Sequence, residues 1–421
     1  MNIKHFLYTL LYICALLSCS HDDDDTQSEV KIRRTIIAYV CGDNNLSNSL
    51  QDDIMEMVKG AATLPTDCRL IVFTDFLNTT PYIYEIQNGQ RTTVKKFSEE
   101  FYCTNPDSML HAMQWIADNY PADEYALLMT GHGNGSIIKQ DTVETIITRR
   151  YAYGLDTTGD KKTGSYATWL NIPTFASVLS QLNDKNGAPL HFDYIFFDCC
   201  CMQTAEVAYE LRNYTDYIVA AASEVPGKGA PYNKIVPILG VDKEIIGKEI
   251  IDNYIEGTQW GSYGGIAISA VKTSEMEPLM NATRKALKSI YTGDKLTLNR
   301  YRCIYYFRDE DTDKAPALHD LKNIMHINLD NAAYNEWLPF FTKAVVASYM
   351  PTGSAPWNTV FEGLDFNSFD ITEENYGGIS MIAPNIAYDN IETRVIPMKS
   401  LNKTMFNYEW CNDIGWHELG W

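Results

Sequence analysis

The chain has 421 residues, enough for one large α/β domain or two domains of ordinary size. Hydrophobic residues make up 45% of it, which provides for a sizeable core, and its formal net charge is −20. Because nucleic-acid binding needs a basic face, this acidic balance excludes nucleic acid as an expected partner.

The first residues have the pattern of an export signal. Lys4 precedes an uncharged apolar run over residues 6–17, which is too short to cross a bilayer. The run ends in Leu16-Leu17-Ser18-Cys19, which resembles the lipobox of bacterial lipoproteins. The resemblance implies a signal peptide over residues 1–18 and acylation of Cys19, and a plain secretory signal is the alternative.

A polar segment follows the predicted acylation site. Residues 19–33 form an acidic linker that contains four consecutive aspartates at residues 22–25. These aspartates form a solvated spacer, and they also resemble the export signal of some Gram-negative lipoproteins displayed on the outer face of the outer membrane. We therefore expect a lipid-anchored, surface-exposed outer membrane protein, with the periplasmic face as the alternative.

Between residues 34 and 271, apolar strands alternate with amphipathic helices. A hairpin is predicted over residues 82–97, with its turn at Asn88-Gly89. The other strands are predicted at residues 35–41, 69–74, 125–132, 194–198, 216–224 and 264–270, with helices after residues 46, 108, 173, 204 and 243. This alternation is typical of a parallel α/β sheet with helices on both faces.

The pattern changes after residue 271, where we place a soft domain boundary. Helices are predicted to dominate to about residue 350, followed by one strand at residues 377–382. No motif in residues 272–421 carries chemistry, so this α-rich region is expected to support the domain formed by residues 34–271.

Two of the predicted strands end in reactive residues. One leads to His132, which is flanked by Gly131 and Gly133, and the other leads to Asp198 and three consecutive cysteines. Parallel strands gather their carboxyl ends along one sheet edge, where ligands bind. A histidine and a cysteine at that edge are the smallest set of groups that can form a base-activated nucleophile. Each residue alone is more often structural.

The glycines around the histidine favour the catalytic interpretation. They allow a substrate to approach the backbone closely, and we predict the N–H groups of Gly133 and Cys200 as oxyanion donors. Cys200 is expected at the amino end of a helix that begins near Thr204, where partial positive charge and a nearby imidazole favour the thiolate. His132 would then protonate the leaving amine, and water would hydrolyse the acyl-enzyme.

Residues 192–212 resemble the nucleophile block of clostripain-family cysteine peptidases. The family pattern is Asp-Ala-Cys-x-Met-(Gly)-x-x-Glu-Val-Ala-Tyr-Glu-Leu, and this chain has Asp-Cys-Cys-Cys-Met-Gln-Thr-Ala-Glu-Val-Ala-Tyr-Glu-Leu from Asp198. This register makes Cys200 the nucleophile. Three further blocks, at residues 39–46, 131–133 and 216–224, resemble those of the family in the same order.

The resemblance implies a fold shared with caspases, legumains and gingipains. We therefore expect a caspase-like three-layer α/β/α sandwich with a mostly parallel sheet, extended by a mainly helical C-terminal region. The tryptophan that often follows the histidine block of the family is absent, because Gly135-Ser136-Ile137 stands there.

The resemblance also implies a substrate preference. The family typically cleaves after Arg or Lys, and the aspartate two residues before its nucleophile, here Asp198, lines the S1 pocket. A buried carboxylate would select a cationic side chain by charge and hydrogen bonding. A capping aspartate at a strand end is the alternative. Ser223 and Glu224 are further candidates for the pocket wall.

Residues 137–168 lose periodicity and are rich in basic residues. Some relatives cut themselves between the histidine and cysteine blocks, so this loop is a candidate for self-cleavage at Lys139, Arg149, Arg150, Lys161 or Lys162. A solvated loop that is never cut is the alternative. Some relatives also need calcium, but no EF-hand loop or zinc spacing is present, so no cofactor and no metal are predicted.

These observations predict a secreted, lipid-anchored, monomeric cysteine endopeptidase that cleaves proteins or peptides after Arg or Lys. Its Cys200–His132 dyad would act through a thioester acyl-enzyme. A peptidase of non-basic specificity is one alternative. The other is a catalytically silent relative, a surface lipoprotein that keeps the caspase-like fold for a binding or scaffold role. The pairing of the eight cysteines other than Cys14 and Cys19 is left open.

Overall fold

The computed structural model describes residues 31–138, 153–157, 168–258, 265–307, 316–349, 371–389 and 401–421. Residues Ile32–Trp421 form one compact unit. The predicted signal peptide, Cys19 and the acidic run at residues 22–25 lie outside the described residues. So do the candidate self-cleavage residues Lys139, Arg149, Arg150, Lys161 and Lys162.

The strands, in chain order, are β1 (Arg34–Gly42), β2 (Cys68–Phe76), β3 (Tyr82–Gln87), β4 (Gln90–Lys96), β5 (Glu124–Thr130), β6 (Tyr153–Asp156), β7 (Thr168–Leu170), β8 (Phe192–Asp198), β9 (Thr215–Ala221), β10 (Ile268–Lys272), β11 (Tyr305–Phe307), β12 (Ala317–Asp320), β13 (Val345–Tyr349) and β14 (Ser380–Met381). The helices are α1 (Ser47–Gly60), α2 (Pro106–Asn119), α3 (Ile172–Leu179), α4 (Ala205–Glu210), α5 (Tyr232–Ile235), α6 (Lys243–Gly257), α7 (Met276–Ser289), α8 (Leu321–Asn328), α9 (Asn331–Ala344), α10 (Ile386–Asp389), α11 (Leu401–Thr404) and α12 (Glu409–Ile414).

A nine-stranded sheet organises the described part of the chain, in the order β13-β10-β9-β8-β5-β1-β2-β3-β4. Its five central strands, from β9 to β2, run parallel, whereas the pairs at both edges are antiparallel. The mostly parallel sheet is thus confirmed. The strand predicted at residues 264–270 is β10, which begins later, at Ile268, and pairs antiparallel with β9.

Two apolar clusters cover the two faces of the sheet, because successive side chains of a strand point to opposite sides. In β1, Ile37, Tyr39 and Cys41 join one cluster. Ile36, Ala38 and Val40 join the other, which also contains residues of α1, α5 and α6. The predicted three-layer arrangement of helices around a central sheet is therefore confirmed.

The C-terminal region has more strands than the sequence pattern indicates. The strand predicted at residues 377–382 shrinks to the two residues of β14, which forms a second sheet with β11 and β12. The short strands β11, β12 and β13 were not predicted, because runs of three to five residues carry too little periodicity. Since β13 forms an edge of the main sheet, the C-terminal region contributes to the sheet directly. The domain boundary near residue 272 stays a prediction.

Candidate active site

The fold brings the ends of β5 and β8 together. These strands are parallel neighbours, and their last aligned pair is Thr130 with Asp198. His132 follows two residues after Thr130, and Cys200 follows two residues after Asp198. The two reactive residues therefore leave the sheet side by side, as the sequence predicted.

The two loops pack with their backbones in contact, which glycine alone permits. A Cβ atom added to Gly133 would lie 2.7 Å from the Cys199 Cβ atom and 2.7 Å from the Cys200 carbonyl oxygen. Real Cβ atoms do not approach other atoms so closely. Gly133 thus allows the histidine loop to lie directly against the cysteine loop.

His132 is held by contacts from three other segments. Its side chain is only 5% exposed. The imidazole Nε2 lies 2.8 Å from the Oδ1 atom of Asn45, in the turn after β1, and the His132 carbonyl accepts a 2.8 Å hydrogen bond from Gly154 N. The indole of Trp169, on β7, lies with its centroid 6.4 Å from the imidazole centroid.

Of the three consecutive cysteines, Cys200 is the one that reaches the surface. Its exposed fraction is 8%, against 0% for Cys199 and 1% for Cys201. The Cys199 thiol donates a 3.2 Å hydrogen bond to the Met129 carbonyl, and burial raises its pKa well above the ordinary value. Cys199 is therefore a core residue, and Cys200 is the most exposed of the three cysteines.

The Cys200 loop is fixed on its other side by the segment after β9. The Sγ atom of Cys200 accepts a hydrogen bond from Val225 N at 3.4 Å. Cys201 adopts a left-handed backbone conformation with φ of 59°, and its N–H donates to the Ser223 carbonyl at 2.8 Å. Helix α4 begins only at Ala205, capped by Thr204, so Cys200 lies in the loop before the helix.

The two candidates for the pocket wall, Ser223 and Glu224, are both buried. The Ser223 hydroxyl accepts a 2.9 Å hydrogen bond from Ala267 N and donates one of 3.1 Å to the Glu224 carbonyl. Ser223 therefore fixes the loop against which Cys200 and Cys201 pack.

Asp198 is buried beneath the loop that follows β9. It accepts hydrogen bonds from Ala230 N at 2.8 Å, the Tyr232 hydroxyl at 3.0 Å and the Tyr254 hydroxyl at 3.1 Å. Burial raises the pKa of the Asp198 carboxyl, and these three donors oppose the increase. The side chain is 3% exposed.

A second buried carboxyl lies next to Asp198. A Cβ atom added to Gly229 would lie 2.7 Å from Asp198 Oδ2 and 3.1 Å from Asp53 Oδ2, so the two carboxyl groups face the same glycine. Burial and the nearby Asp198 charge raise the pKa of Asp53 to about 9. Asp53 belongs to α1, and no motif in the sequence marks it as a site residue.

Sequence reasoning also missed Asn45 and Trp169. Asn45 lies in a segment that resembles a family block, but only the three-dimensional structure places it against the imidazole. The tryptophan that often follows the histidine block of the family is absent from that place in this chain. The structure supplies Trp169 from a later segment, and its separation in sequence from His132 concealed the contact.

Two overlapping groups of buried or partly buried side chains among the described residues have the geometry to hold a cation. One consists of Asp75, Cys103 and Asp156, and the other of Asp43, Asp75 and Glu100, with ligand atoms within 4.8 Å of one another in each group. Burial and mutual repulsion raise the pKa of Asp75 to about 10 and that of Glu100 to about 7. Bound protons can therefore offset the charge of this acidic cluster at neutral pH.

Among the described residues, no helix combines the length and the apolar character that crossing a bilayer requires.

The sequence matches the profile of the clostripain family, Peptidase C11, over residues 38–355. It is 28% identical over 228 residues to clostripain from Hathewaya histolytica, an alignment that covers 48% of this chain and 41% of that relative. The chain thus spans less than half the length of the curated relative it matches.

Two solved structures have a similar fold. One is a secreted C11 cysteine protease from Bacteroides thetaiotaomicron in complex with an irreversible peptide inhibitor. It has a TM-score of 0.68 and 24% identity, and the match covers 92% of this chain and 99% of that chain. The other is an inactive zymogen C11 protease from Parabacteroides distasonis, with a TM-score of 0.66, 21% identity, and coverage of 90% of this chain and 97% of that chain.

The family profile extends over most of the sequence and includes both strand ends that carry His132 and Cys200. The chain therefore belongs to the clostripain family of C11 cysteine proteases.

Proposed function

We propose that this chain is a secreted endopeptidase in which Cys200 is the nucleophile and His132 is the general acid–base. The observation that carries the proposal is the direct packing of the histidine loop on the cysteine loop at Gly133. This packing joins the ends of two neighbouring parallel strands, the edge at which open α/β sheets bind ligands.

The contact between His132 and Asn45 supports a defined proton position. When Nε2 carries the proton, it donates to the Oδ1 atom of Asn45, and the lone pair of the neutral imidazole then resides on Nδ1. In the proposed reaction His132 takes the thiol proton, and the Cys200 sulfur attacks the peptide carbonyl. His132 then protonates the leaving amine, and water hydrolyses the thioester.

Backbone N–H groups are proposed to stabilise the tetrahedral intermediate. Gly133 offers an N–H without a side chain beside it, and the Cys200 N–H lies in the facing loop. Donors fixed in advance at the developing oxyanion stabilise the transition state more than the ground state.

A preference for Arg or Lys at the cleavage site is proposed from the buried carboxyl groups of Asp198 and Asp53. A carboxylate has about four acceptor positions, and Asp198 uses three of them within the protein. The remaining acceptor position on Asp198 Oδ1, and the negative charge of this carboxyl when it is ionised, favour a cationic side chain. The fixed loop at Ser223 and Glu224 would form the pocket wall.

Further properties are proposed from the sequence. The chain is anchored by a lipid on Cys19 at the cell surface, acts as a monomer, and processes itself in the basic loop at residues 137–168. The proposed chemistry requires no metal, so activity is expected to persist after dialysis against a chelator. Activity restored by calcium alone would place a cation at the acidic cluster instead.

The proposed function is tested with the soluble chain, residues 20–421, and fluorogenic peptides that end in Arg, Lys, Asn or Asp. We expect turnover of the Arg and Lys peptides, and complete loss of turnover in Cys200→Ala but not in the adjacent Cys201→Ala control. The Asp198→Asn variant should lose most of its Arg and Lys cleavage.

Three results would contradict the proposal or a part of it. Activity that survives Cys200→Ala would exclude this nucleophile. No turnover of any peptide, together with no labelling of Cys200 by a thiol-reactive substrate analogue, would indicate the catalytically silent surface lipoprotein. Full Arg and Lys cleavage by Asp198→Asn would remove Asp198 from the pocket.

A further inference from the structure

Cys41 and Cys103 have no part in the proposed catalytic reaction, yet their sulfur atoms face each other in the core. Cys41 is the penultimate residue of β1, and Cys103 precedes α2. Their Sγ atoms are 2.7 Å apart, and both side chains are completely buried. Non-bonded carbon atoms, which are smaller than sulfur, already need about 3.5–4.0 Å. We propose that Cys41 and Cys103 form a disulfide bond in the mature protein.

The backbone on both sides of this pair is held by the fold. Cys41 lies within the β1–β2 ladder, opposite Asp75. The Cys103 N–H donates a 2.6 Å hydrogen bond to Asp156, and the Cys103 carbonyl accepts one of 2.7 Å from the Tyr39 hydroxyl. The hydrogen-bonded backbone on each side therefore holds the two sulfur atoms in contact. A covalent bond between them would restrain segments that are far apart in sequence.

The bond would have to form before folding is complete. Burial raises the pKa of both thiols in the folded protein, so neither is present as the thiolate that attacks a disulfide. During folding the two thiols lose two protons and two electrons. The electrons reduce a protein or small-molecule disulfide to two thiols by way of a mixed disulfide. The proposed export supplies an oxidising compartment for this step, and peptidase activity is not required.

The bond would restrain the backbone at Cys41, against which the histidine loop packs. A Cβ atom added to Gly131, the residue before His132, would lie 2.9 Å from the Cys41 carbonyl oxygen. A Cβ atom added to Gly154, whose N–H donates to the His132 carbonyl, would lie 2.8 Å from the Cys41 sulfur. Cys41 thus supports both backbone segments that position His132.

The test uses the exported full chain carrying Cys200→Ala, which prevents self-digestion. The protein is quenched in acid and denatured, its free thiols are alkylated, and the digest is mapped by mass spectrometry without reduction. We expect a peptide pair joined through Cys41 and Cys103, with neither residue alkylated. Without denaturant a reductant should leave the pair joined, because both sulfurs are buried.

Matched variants distinguish a disulfide bond from the close packing of two free thiols. Cys41→Ala should release Cys103 for alkylation and lower the melting temperature by roughly 5 °C. Cys303→Ala, which removes another buried thiol, should leave the joined pair intact. Complete alkylation of Cys41 and Cys103 in the exported protein would overturn the proposal. So would a cross-link that joins either of them to a different cysteine.

Discussion

At the scale of single residues, the contact with His132 suggests a role for the exposed side chain of Asn45. The imidazole Nε2 lies 2.8 Å from the Asn45 Oδ1 atom, and this contact restrains the orientation of the ring. In the proposed reaction Asn45 would act through His132, which makes it a candidate positioning residue.

Replacing Asn45 by Ala is expected to lower kcat about tenfold with little change in KM, because the base loses its orientation but the pocket is intact. Asn45→Asp keeps an acceptor at the imidazole and adds negative charge, so it should restore part of kcat and raise the pKa seen in the pH–rate profile. The neighbouring exposed Asn48→Ala is the control. Equal losses in the Asn45 and Asn48 variants would contradict the positioning role.

The raised pKa of Asp53 predicts a dependence of stability on pH. The folded-state pKa is about 9, whereas an ordinary aspartate titrates near 3.9. The folded protein therefore holds a proton that the unfolded chain has released, and the free energy of unfolding falls as pH rises between these two values.

Asp53→Asn should remove much of this dependence, because the amide keeps the shape of the side chain without a proton to lose. We expect the melting temperature of the variant to decline less than that of the unchanged protein between about pH 5 and pH 9. The exposed neighbour Asp52 provides the control variant Asp52→Asn. Parallel melting curves for the Asp53 variant and the unchanged protein would show that this carboxyl is not the titrating group.

At the scale of secondary-structure elements, the site depends on how the loops after β5 and β8 meet. The proposed nucleophile and base both lie in the loops that follow the strands, and these loops can meet because Gly133 has no side chain. Backbone proximity of this kind is sensitive to a single methyl group.

Gly133→Ala is expected to lower kcat/KM by roughly 100-fold while the protein stays folded, because the loops must separate and displace an oxyanion donor. The matched control is Gly227→Ala, in the loop after β9, where an added Cβ atom meets no atom within 4 Å. Peptide turnover and circular dichroism are measured on both variants. An unchanged kcat/KM for Gly133→Ala would exclude the close packing of the two loops.

The same elements show how far the sequence alone could lead. The central strands were predictable because β1, β5 and β8 are buried apolar runs followed by glycine or polar turns. The hairpin was predictable from Asn88-Gly89, and both residues adopt the positive φ that such a turn requires. The antiparallel pairing of β10 with β9 and β13 was harder to predict, since pairing between segments distant in sequence leaves no local signal.

Side-chain contacts across the site were predictable only in part. The positions of His132 and Cys200 follow from strand ends and from the family register. The roles of Asp53 and Trp169 depend on which helix or strand packs beside the site, which a single sequence does not encode locally. Tertiary contacts of this kind determine which other side chains lie beside the site. Residue type alone does not indicate them.

At the scale of the whole molecule, the C-terminal region is joined to the sheet by buried polar contacts. The amide of Gln203, in the cysteine loop, donates to the Ser269 carbonyl at 2.9 Å, and the Ser269 hydroxyl donates to the Gly378 carbonyl at 2.8 Å. Glu206, on α4, accepts from Ile382 N at 2.8 Å and from the Ser136 hydroxyl at 3.3 Å. These contacts connect the C-terminal region to both loops of the site.

We therefore expect that a chain ending at residue 271 does not fold by itself. Removal of the C-terminal region would expose buried partners such as Glu206, whose pKa burial raises to about 7, and would delete the edge strand β13. The truncated chain and the soluble full-length protein are compared by circular dichroism and by thermal unfolding. A soluble fragment with a cooperative melting transition would instead establish residues 34–271 as an independent domain.

The indole of Trp169 lies beside His132, so its fluorescence should report the protonation state of the proposed base. Since the Trp169 ring centroid is 6.4 Å from the imidazole centroid, a change of charge on His132 alters the electric field at the indole. Part of the intrinsic fluorescence should therefore titrate with the histidine, and this component should vanish in both Trp169→Phe and His132→Ala. The protonation state of the proposed base could then be measured in the resting protein, with no substrate present.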